Sequence, residues 1–458
     1  MKKILFLISF FSTLFSQTIS FDELLTQTLE NSKDLQKQKI NIDIAKTNSD
    51  FIDGLNFGKV SLNSDISRTN HSGYVFMGKL SSREATFKDF GAGEFNSSNP
   101  NVLDVKPKDL NYPEAYTAIN SYISYDLPLF TGFALYHQKG ILKLQEKANE
   151  ILYNLNEKNL ELEVLKAYNS SVLAKDFVKT LQKAKQSVEF IANGAVKFHE
   201  NGLVTKLDVN EAKLYLLNIE SQLLQAQNNF DLSIAYLKFL SSNEKIKDVE
   251  DLKSLEFTLN EFEKLYEIAL LNRDEKALQN IEIEANSKNI KAKQGSYYPT
   301  IFSRLEYGYN DNNFTASSDK DYYMAFLGVN LTLFDQTRSS QLEKSKLELL
   351  KAKLDMQKLD DGIKLELQEA ILNLNSKQKT VETNSKSLEL AQEVLEQAKL
   401  QYKNRLISMT TLLAQETNFR KTQTLLLNAR YETSLAKAKL KQVLGLNLTK
   451  DTKWDFCF

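Results

Sequence analysis

The chain has 458 residues, with 58 Lys and Arg against 59 Asp and Glu. That near-neutral balance lacks the basic excess a protein needs to bind polyanions, and it argues against nucleic acid as a partner. Only 15 Gly and 5 Pro favour long regular elements over a loop-rich fold. The single cysteine, Cys457, excludes an intrachain disulfide, and with three histidines it argues against a metal or Cys/His centre, so no cofactor is expected.

Lys2 and Lys3, the apolar run from Ile4 to Phe15, then Ser16 and Gln17, read as an export signal over residues 1–17. The run is too short to span a bilayer as a helix, and no cysteine near the cut offers a site for a lipid. No second run of about twenty apolar residues follows. A membrane crossing by this chain must therefore use strands.

Four segments alternate as half-buried strands do. Over residues 55–70, Val60, Leu62 and Ile66 alternate with Lys59, Asn63 and Asp65. Over 116–130, Ile119, Ile123, Tyr125, Leu127 and Leu129 are separated by Asn120, Ser124 and Asp126. The third, 299–310, sets Ile301, Leu305, Tyr307 and Tyr309 against Arg304 and Glu306; the fourth, 322–334, sets Tyr323, Ala325, Leu327, Val329, Leu331 and Leu333 against Asn330 and Thr332. A soluble sandwich with one buried face has the same pattern. Number separates the two readings: a small barrel needs about eight strands, so four facing lipid would have to be pooled among chains, and a trimer would supply twelve.

Most of the remainder is helical. Leu181, Ala184, Val188, Ile191, Ala195 and Phe198, and later Leu388, Ala391, Leu395, Ala398 and Tyr402, keep the 3.5-residue period of a coiled-coil seam. From Tyr136 to Phe198 the pattern predicts roughly 95 Å of helix at about 1.5 Å per residue. All five prolines, Pro100, Pro107, Pro113, Pro128 and Pro299, lie outside the helical spans, three in the first connection and two at strand ends. The strand-to-helix junction is written twice, as "LPLFTG" from Leu127 and "LTLFDQ" from Leu331, and so is the hairpin turn, as "FHENGLVTKLDV" from Phe198 and "YKNRLISMTTLL" from Tyr402. The chain is thus two tandem repeats, 18–240 and 260–446. Their helical hairpins run over 133–240, with a tip near 202, and over 337–446, with a tip near 405. An external segment, 71–115, separates the first two strands, and Gly91, Gly93 and Pro100 suggest that it is structured.

With these junctions, "AYNSSVLAKD" from Ala167, "NGLVTKLDV" from Asn201 and "AKLKQVLGL" from Ala438, essentially all of the mature sequence resembles the TolC family of trimeric outer-membrane efflux channels. The resemblance implies a mainly α fold with membrane β: four strands per chain, a twelve-stranded barrel shared by a homotrimer, and a periplasmic tunnel of long coiled-coil hairpins. A small equatorial domain would draw on residues 241–259 and the tail 447–458. It also implies the outer membrane of a Gram-negative bacterium, a large periplasmic portion, and partnership with outer-membrane lipid, a periplasmic adaptor and an inner-membrane pump or ABC transporter.

On that reading, Gly202, Leu203, Val204, Arg405, Leu406 and Ile407 are candidates for docking an adaptor, because they place small or apolar groups at otherwise polar tips. The candidate periplasmic gate is Tyr402, Arg405, Ile407, Met409 and Thr411, with Asp208 from the first repeat. The sequence departs from the family here: Thr411 and Ala414 stand where an acidic pair is usual, and Arg405 replaces a glycine. Closure is therefore expected from packing of Tyr402, Ile407 and Met409 rather than from a carboxylate ring. A periplasmic adaptor or another coiled-coil protein of the envelope is the alternative, although an adaptor would carry one hairpin between compact β domains. His71, His137 and His199 have no nucleophile or paired carboxylate around them, so the chain is not read as an enzyme.

Overall fold

The structure is a computed structural model that describes residues 17–255, 261–314 and 319–448. The export signal up to residue 16, residues 256–259 of the equatorial segment, and the tail from 449, with Cys457 and Phe458, lie outside the described residues. In chain order, β1 (Gln17–Ile19) leads into α1 (Phe21–Asn31) and α2 (Lys33–Asn56), then β2 (Lys59–Thr69), α3 (Ser72–Ser81), α4 (Lys108–Asn111) and β3 (Tyr116–Thr131). The first hairpin is α5 (Ala134–Glu200) and α6 (Lys206–Ser241), followed by β4 (Ile246–Val249), α7 (Phe262–Asn272) and α8 (Asp274–Gln294). Then β5 (Thr300–Asp311) and β6 (Asp321–Asn330) precede the second hairpin, α9 (Gln336–Lys403) and α10 (Met409–Val443). No helix among the described residues is long and apolar enough to cross a membrane.

The chain divides into two compact units. One comprises residues 43–147 and 281–353, and the other comprises 1–42, 148–280 and 354–458. The first holds a four-stranded antiparallel sheet in the order β2-β3-β5-β6. Its register puts Val60, Tyr125, Leu305 and Ala325 in one row and Leu62, Ile123, Tyr307 and Tyr323 in the next, all on one face. These side chains are apolar yet uncovered: Leu62 is 78% and Tyr323 85% exposed. The opposite face carries Lys59, Asp126 and Arg304, then Ser61, Ser124 and Glu306. There the Arg304 guanidinium donates from Nε to Asp126 Oδ1 at 2.6 Å and from Nη2 to Asp126 Oδ2 at 3.2 Å. Both outer strands, β2 and β6, have a single neighbour in the chain.

Three local outcomes differ from the pattern in the sequence. The alternation at 322–334 runs past the end of β6, which stops at Asn330. Its partner β5 begins at Thr300, opposite Asn330, and is preceded by Pro299, which has no N–H to donate. Leu333 and Phe334 are left 87% and 83% exposed, without a ladder. Pro128 sits within β3 rather than at its end, next to a bulge between Pro128 and Phe130 that absorbs the missing donor. At the opposite edge of the sheet, but at this same end of it, β2 starts at Lys59 rather than near 55 because α2 continues to Asn56. Gly58 makes the turn at φ 73°, where an added Cβ would lie 2.3 Å from the Asp126 carbonyl oxygen.

The other unit holds the tip-side part of both hairpins and a small girdle. Here β1 pairs in parallel with β4, and Ile19, Ile246 and Val249 join Phe21, Leu24, Leu165 and Tyr168 in one core. The Ala167–Asp176 motif of α5 supplies its fastenings. Asn169 Nδ2 donates to the Lys253 carbonyl at 2.9 Å and to Ser434 Oγ at 2.8 Å, its Oδ1 accepts from Lys253 N at 3.0 Å, and Lys175 Nζ donates to Asp248 Oδ2 at 2.7 Å. A second core gathers Leu265 and Ala269 of α7 with Ile363, Leu367 and Leu374 of α9 and Leu440 and Val443 of α10.

Two glycines separate the sheet from the helices experimentally. At Gly308 an added Cβ would lie 2.5 Å from Tyr122 Cβ and 2.6 Å from the Ser121 carbonyl, whereas at Gly194 it would meet nothing within 4 Å. Gly308→Ala is expected to lose sheet signal in circular dichroism of the detergent-purified protein. Gly194→Ala should keep that signal and stabilise α5 by about 0.5–1 kcal/mol.

Candidate functional site

Each hairpin turns by the same backbone device. In the first, Gly202 has φ 67°; its N–H donates to the His199 carbonyl at 2.8 Å, and that of Leu203 to the Phe198 carbonyl at 2.8 Å. In the second, Arg405 occupies the equivalent left-handed position at φ 61°, with Arg405 N–H on Tyr402 O and Leu406 N–H on Gln401 O, both at 2.9 Å. This double bond closes an α-helix through one left-handed residue, a conformation that glycine adopts freely and arginine does not. The returning arms start with hydroxyl caps: Thr205 Oγ1 accepts from Asp208 N at 3.3 Å, and Ser408 Oγ from Thr411 N at 3.2 Å.

The candidate residues therefore fall into distinct environments. Leu203 is 38% and Leu406 73% exposed, and Gly202 and Arg405 are exposed beside them. Val204 and Ile407 are half-buried. The Asp208 carboxylate is engaged in its own cap, where Oδ2 accepts from Thr205 N at 2.9 Å and Oγ1 at 2.7 Å. Thr411 is exposed, and its hydroxyl lies 3.0 Å from Ser408 Oγ. Met409 is fully buried among Ile191, Ala195, Leu395, Ala398 and Leu412, within one chain. It pins the hairpins to each other and leaves no surface for a neighbouring copy. Ile407 and Tyr402 pack on the same cluster. The Tyr402 ring lies 6.4 Å from that of Phe198, and its buried hydroxyl has no hydrogen-bond partner. Burial, and then the charge of Asp208, raise the Tyr402 phenol above its ordinary value. On one side of this cluster Phe190, Ile191, Phe198, Leu400, Tyr402 and Leu412 line a cavity of about 470 Å³.

One part of the site is not foreshadowed by the sequence pattern. Glu416, 2% exposed on α10, accepts a hydrogen bond from the Tyr215 hydroxyl of α6. That hydroxyl also lies 2.7 Å from Thr417 Oγ1 and accepts from Arg420 Nη2 at 3.1 Å, while Arg420 Nη1 donates to Gln222 Oε1 at 2.5 Å. Nearer the tip, Thr410 Oγ1 donates to Glu211 Oε2 at 3.0 Å. Burial pushes the Glu416 carboxyl above the usual carboxylate value, against the Tyr215 bond and the Arg420 charge that lower it. The two hairpins are thus joined by an apolar cluster and, beside it, a buried polar network. Among the described residues no group of three or more His, Cys, Asp or Glu is placed to hold a metal ion.

A sequence model described as "Outer membrane efflux protein" matches residues 24–241 and 265–446. No curated protein matches the chain in sequence. Among solved structures, the outer membrane protein VceC from Vibrio cholerae has a TM-score of 0.73 at 15% identity, over 93% of this chain and 96% of that one. The open-state outer membrane channel MtrE of Neisseria gonorrhoeae has a TM-score of 0.74 at 15% identity, over 94% and 90%. The Campylobacter jejuni outer membrane channel CmeC has a TM-score of 0.72 at 14% identity, over 94% and 87%.

Two outcomes test this geometry. Arg405→Gly relieves a left-handed arginine and should stabilise the second tip by about 1 kcal/mol, whereas Gly202→Ala should destabilise the first, both read from thermal melts. Because the folded-state carboxyl of Glu416 is raised, its contribution to stability is full below the unfolded pKa and is lost as pH rises through the folded one. Hydrogen exchange at the tips should therefore quicken as pH rises above the ordinary carboxylate range by more than its chemical dependence on hydroxide, and Glu416→Gln should remove that excess.

Proposed function

The chain belongs to the outer membrane efflux protein family, and from that premise we propose that it is the outer-membrane conduit of a tripartite exporter. Three copies close their sheets into one twelve-stranded barrel. Their hairpins form a tunnel whose tips meet a periplasmic adaptor bound to an inner-membrane pump or ABC transporter. The observation that carries this reading is the pairing, in one chain, of an exposed apolar sheet face between two open strand edges with two helical hairpins that end in exposed leucines. Lipid suits that face, another copy suits those edges, and a partner that buries Leu203 and Leu406 suits those tips. The outer membrane of a Gram-negative bacterium is the place that meets all three requirements.

Within this reading, the girdle built from β1, β4 and residues 241–255 is the equatorial domain, and the tail 447–458 is assigned to it as well. The gate is the ring of second tips. Arg405 and Thr411, exposed on one chain, face the corresponding tips of neighbouring copies, and Ile407 and Tyr402 follow any shift of the hairpin because they pack on its base. Opening is a displacement of the second hairpin that an adaptor stabilises by its higher affinity for the open arrangement. The conduit is passive, and the pump selects the cargo.

Leu203→Asp combined with Leu406→Asp should abolish export by cells that rely on this channel, while the purified variant still conducts in planar bilayers. Normal export in the double variant rejects tip docking. Absence of any conductance in the unaltered protein rejects the channel itself.

A further inference from the structure

A cavity of about 490 Å³ lies at the join of β3 and α5, and its lining changes character from one side to the other. Leu129, Phe130, Phe133 and Tyr136 form an apolar, aromatic side, and Lys139, Lys143 and Lys288, with His137 and the carboxylate of Asp53, form a polar side with three cations. The aromatic side continues into a cluster in which the Phe130 and Phe133 rings are 5.0 Å apart and those of Phe133 and Tyr298 are 6.0 Å apart. Tyr136 and Tyr298 remain 74% and 52% exposed. Aromatic rings with a polar tip, at the end of strands whose outer face is apolar, mark the level where hydrocarbon gives way to headgroups.

The charge of the polar side is only partly neutralised from within. Lys139 Nζ bonds Asp53 Oδ1 at 2.5 Å, and among the described residues Lys288 pairs with the Glu284 carboxylate, one turn away on its own helix, at 3.3 Å. Lys143, and Lys291 close to His137, have no ion partner among the described residues. Burial, then the charges of Lys291 and Lys288, lower the proton affinity of His137, as a site with surplus positive charge requires. The space is built for a long cation. Gly140 lies between His137 and Lys143 on α5, and a Cβ there would come within 3.0 Å of Lys288 Cδ. The bare backbone lets the lysine stem lie across the helix with its amine at the cavity.

We propose that this cavity binds the phosphate of a glycerophospholipid in the periplasmic leaflet, with Lys143 and Lys288 on the phosphate and Leu129, Phe130 and Phe133 against the acyl chains. The assignment rests on the membrane reading given above. Its position, where strand becomes helix, makes a bound lipid a stop that fixes the depth of the barrel in the bilayer.

The test uses the full-length protein in lipid nanodiscs with and without phosphatidylglycerol, with lipid retention read by native mass spectrometry. Lys143→Gln with Lys288→Gln should reduce retained phosphatidylglycerol about thirtyfold, on the scale of about 1 kcal/mol for each of two lysines near an anionic surface. Lys143→Arg with Lys288→Arg, which keeps the charge, should retain it. Equal retention by all three proteins overturns the site while leaving the channel reading intact. Stabilisation of the detergent-solubilised protein by inorganic phosphate alone, dependent on the same lysines, makes this a free-anion site and overturns the lipid assignment. Failure of the unaltered chain to enter nanodiscs at all removes the membrane reading, and this site with it.

Discussion

A strand edge presents unpaired N–H and C=O groups, and in hydrocarbon each one left unsatisfied costs several kcal/mol. The sheet of this chain has two such edges, β2 with 11 residues and β6 with 10, on either side of a face that is apolar and uncovered. In water that face would be a liability for aggregation, and in lipid the edges would be. Under the proposed reading the two problems have one joint solution: the edges pair with other copies and the apolar face meets lipid. The opposite face, with the bidentate Arg304–Asp126 pair, is then turned toward water, where a paired charge needs no burial.

The same economy governs the tips. Four helices of a single chain meet there, so the residues that hold them together cannot also be offered outward. Met409 and Leu412 are spent on the internal cluster, and Glu416, Tyr215 and Arg420 on a polar network between α6 and α10. Among the groups the turns still offer outward are Gly202 and Leu203 on one and Arg405 and Leu406 on the other, beside exposed polar neighbours such as Asn201 and Asn404. Left-handed Arg405 carries backbone strain that glycine would remove. Under the proposed reading, that strain secures a cation at the mouth of the tunnel, where the family usually has its acidic pair close by.

Much of this was legible in the sequence because it is periodic. Alternation marked Val60 to Ile66 and Ile119 to Leu129, and the three-four spacing marked the buried seam through Ala184, Val188, Ile191 and Ala195. The duplicated turns located Gly202 and Arg405 at equivalent positions. Less was legible where a partner distant in sequence decides. Leu331 to Phe334 keep the strand pattern but have no strand beside them, since Pro299 ends the neighbour's ladder. β1 and β4, with three and four residues, are too short to show a period, and only their shared core defines them. Glu416 reads as one more polar residue on an amphipathic helix, and its partner Tyr215 is 201 positions away. A search for carboxylates at Thr411 and Ala414 stops short of the buried one farther along the same arm.

The central claim is that the open edges of this sheet are closed by two further copies of the same chain. Native mass spectrometry of the protein extracted from membranes in mild detergent measures this directly. The account predicts a species of three chains and no folded monomer that keeps its sheet signal. A stable single chain with full β content would contradict it.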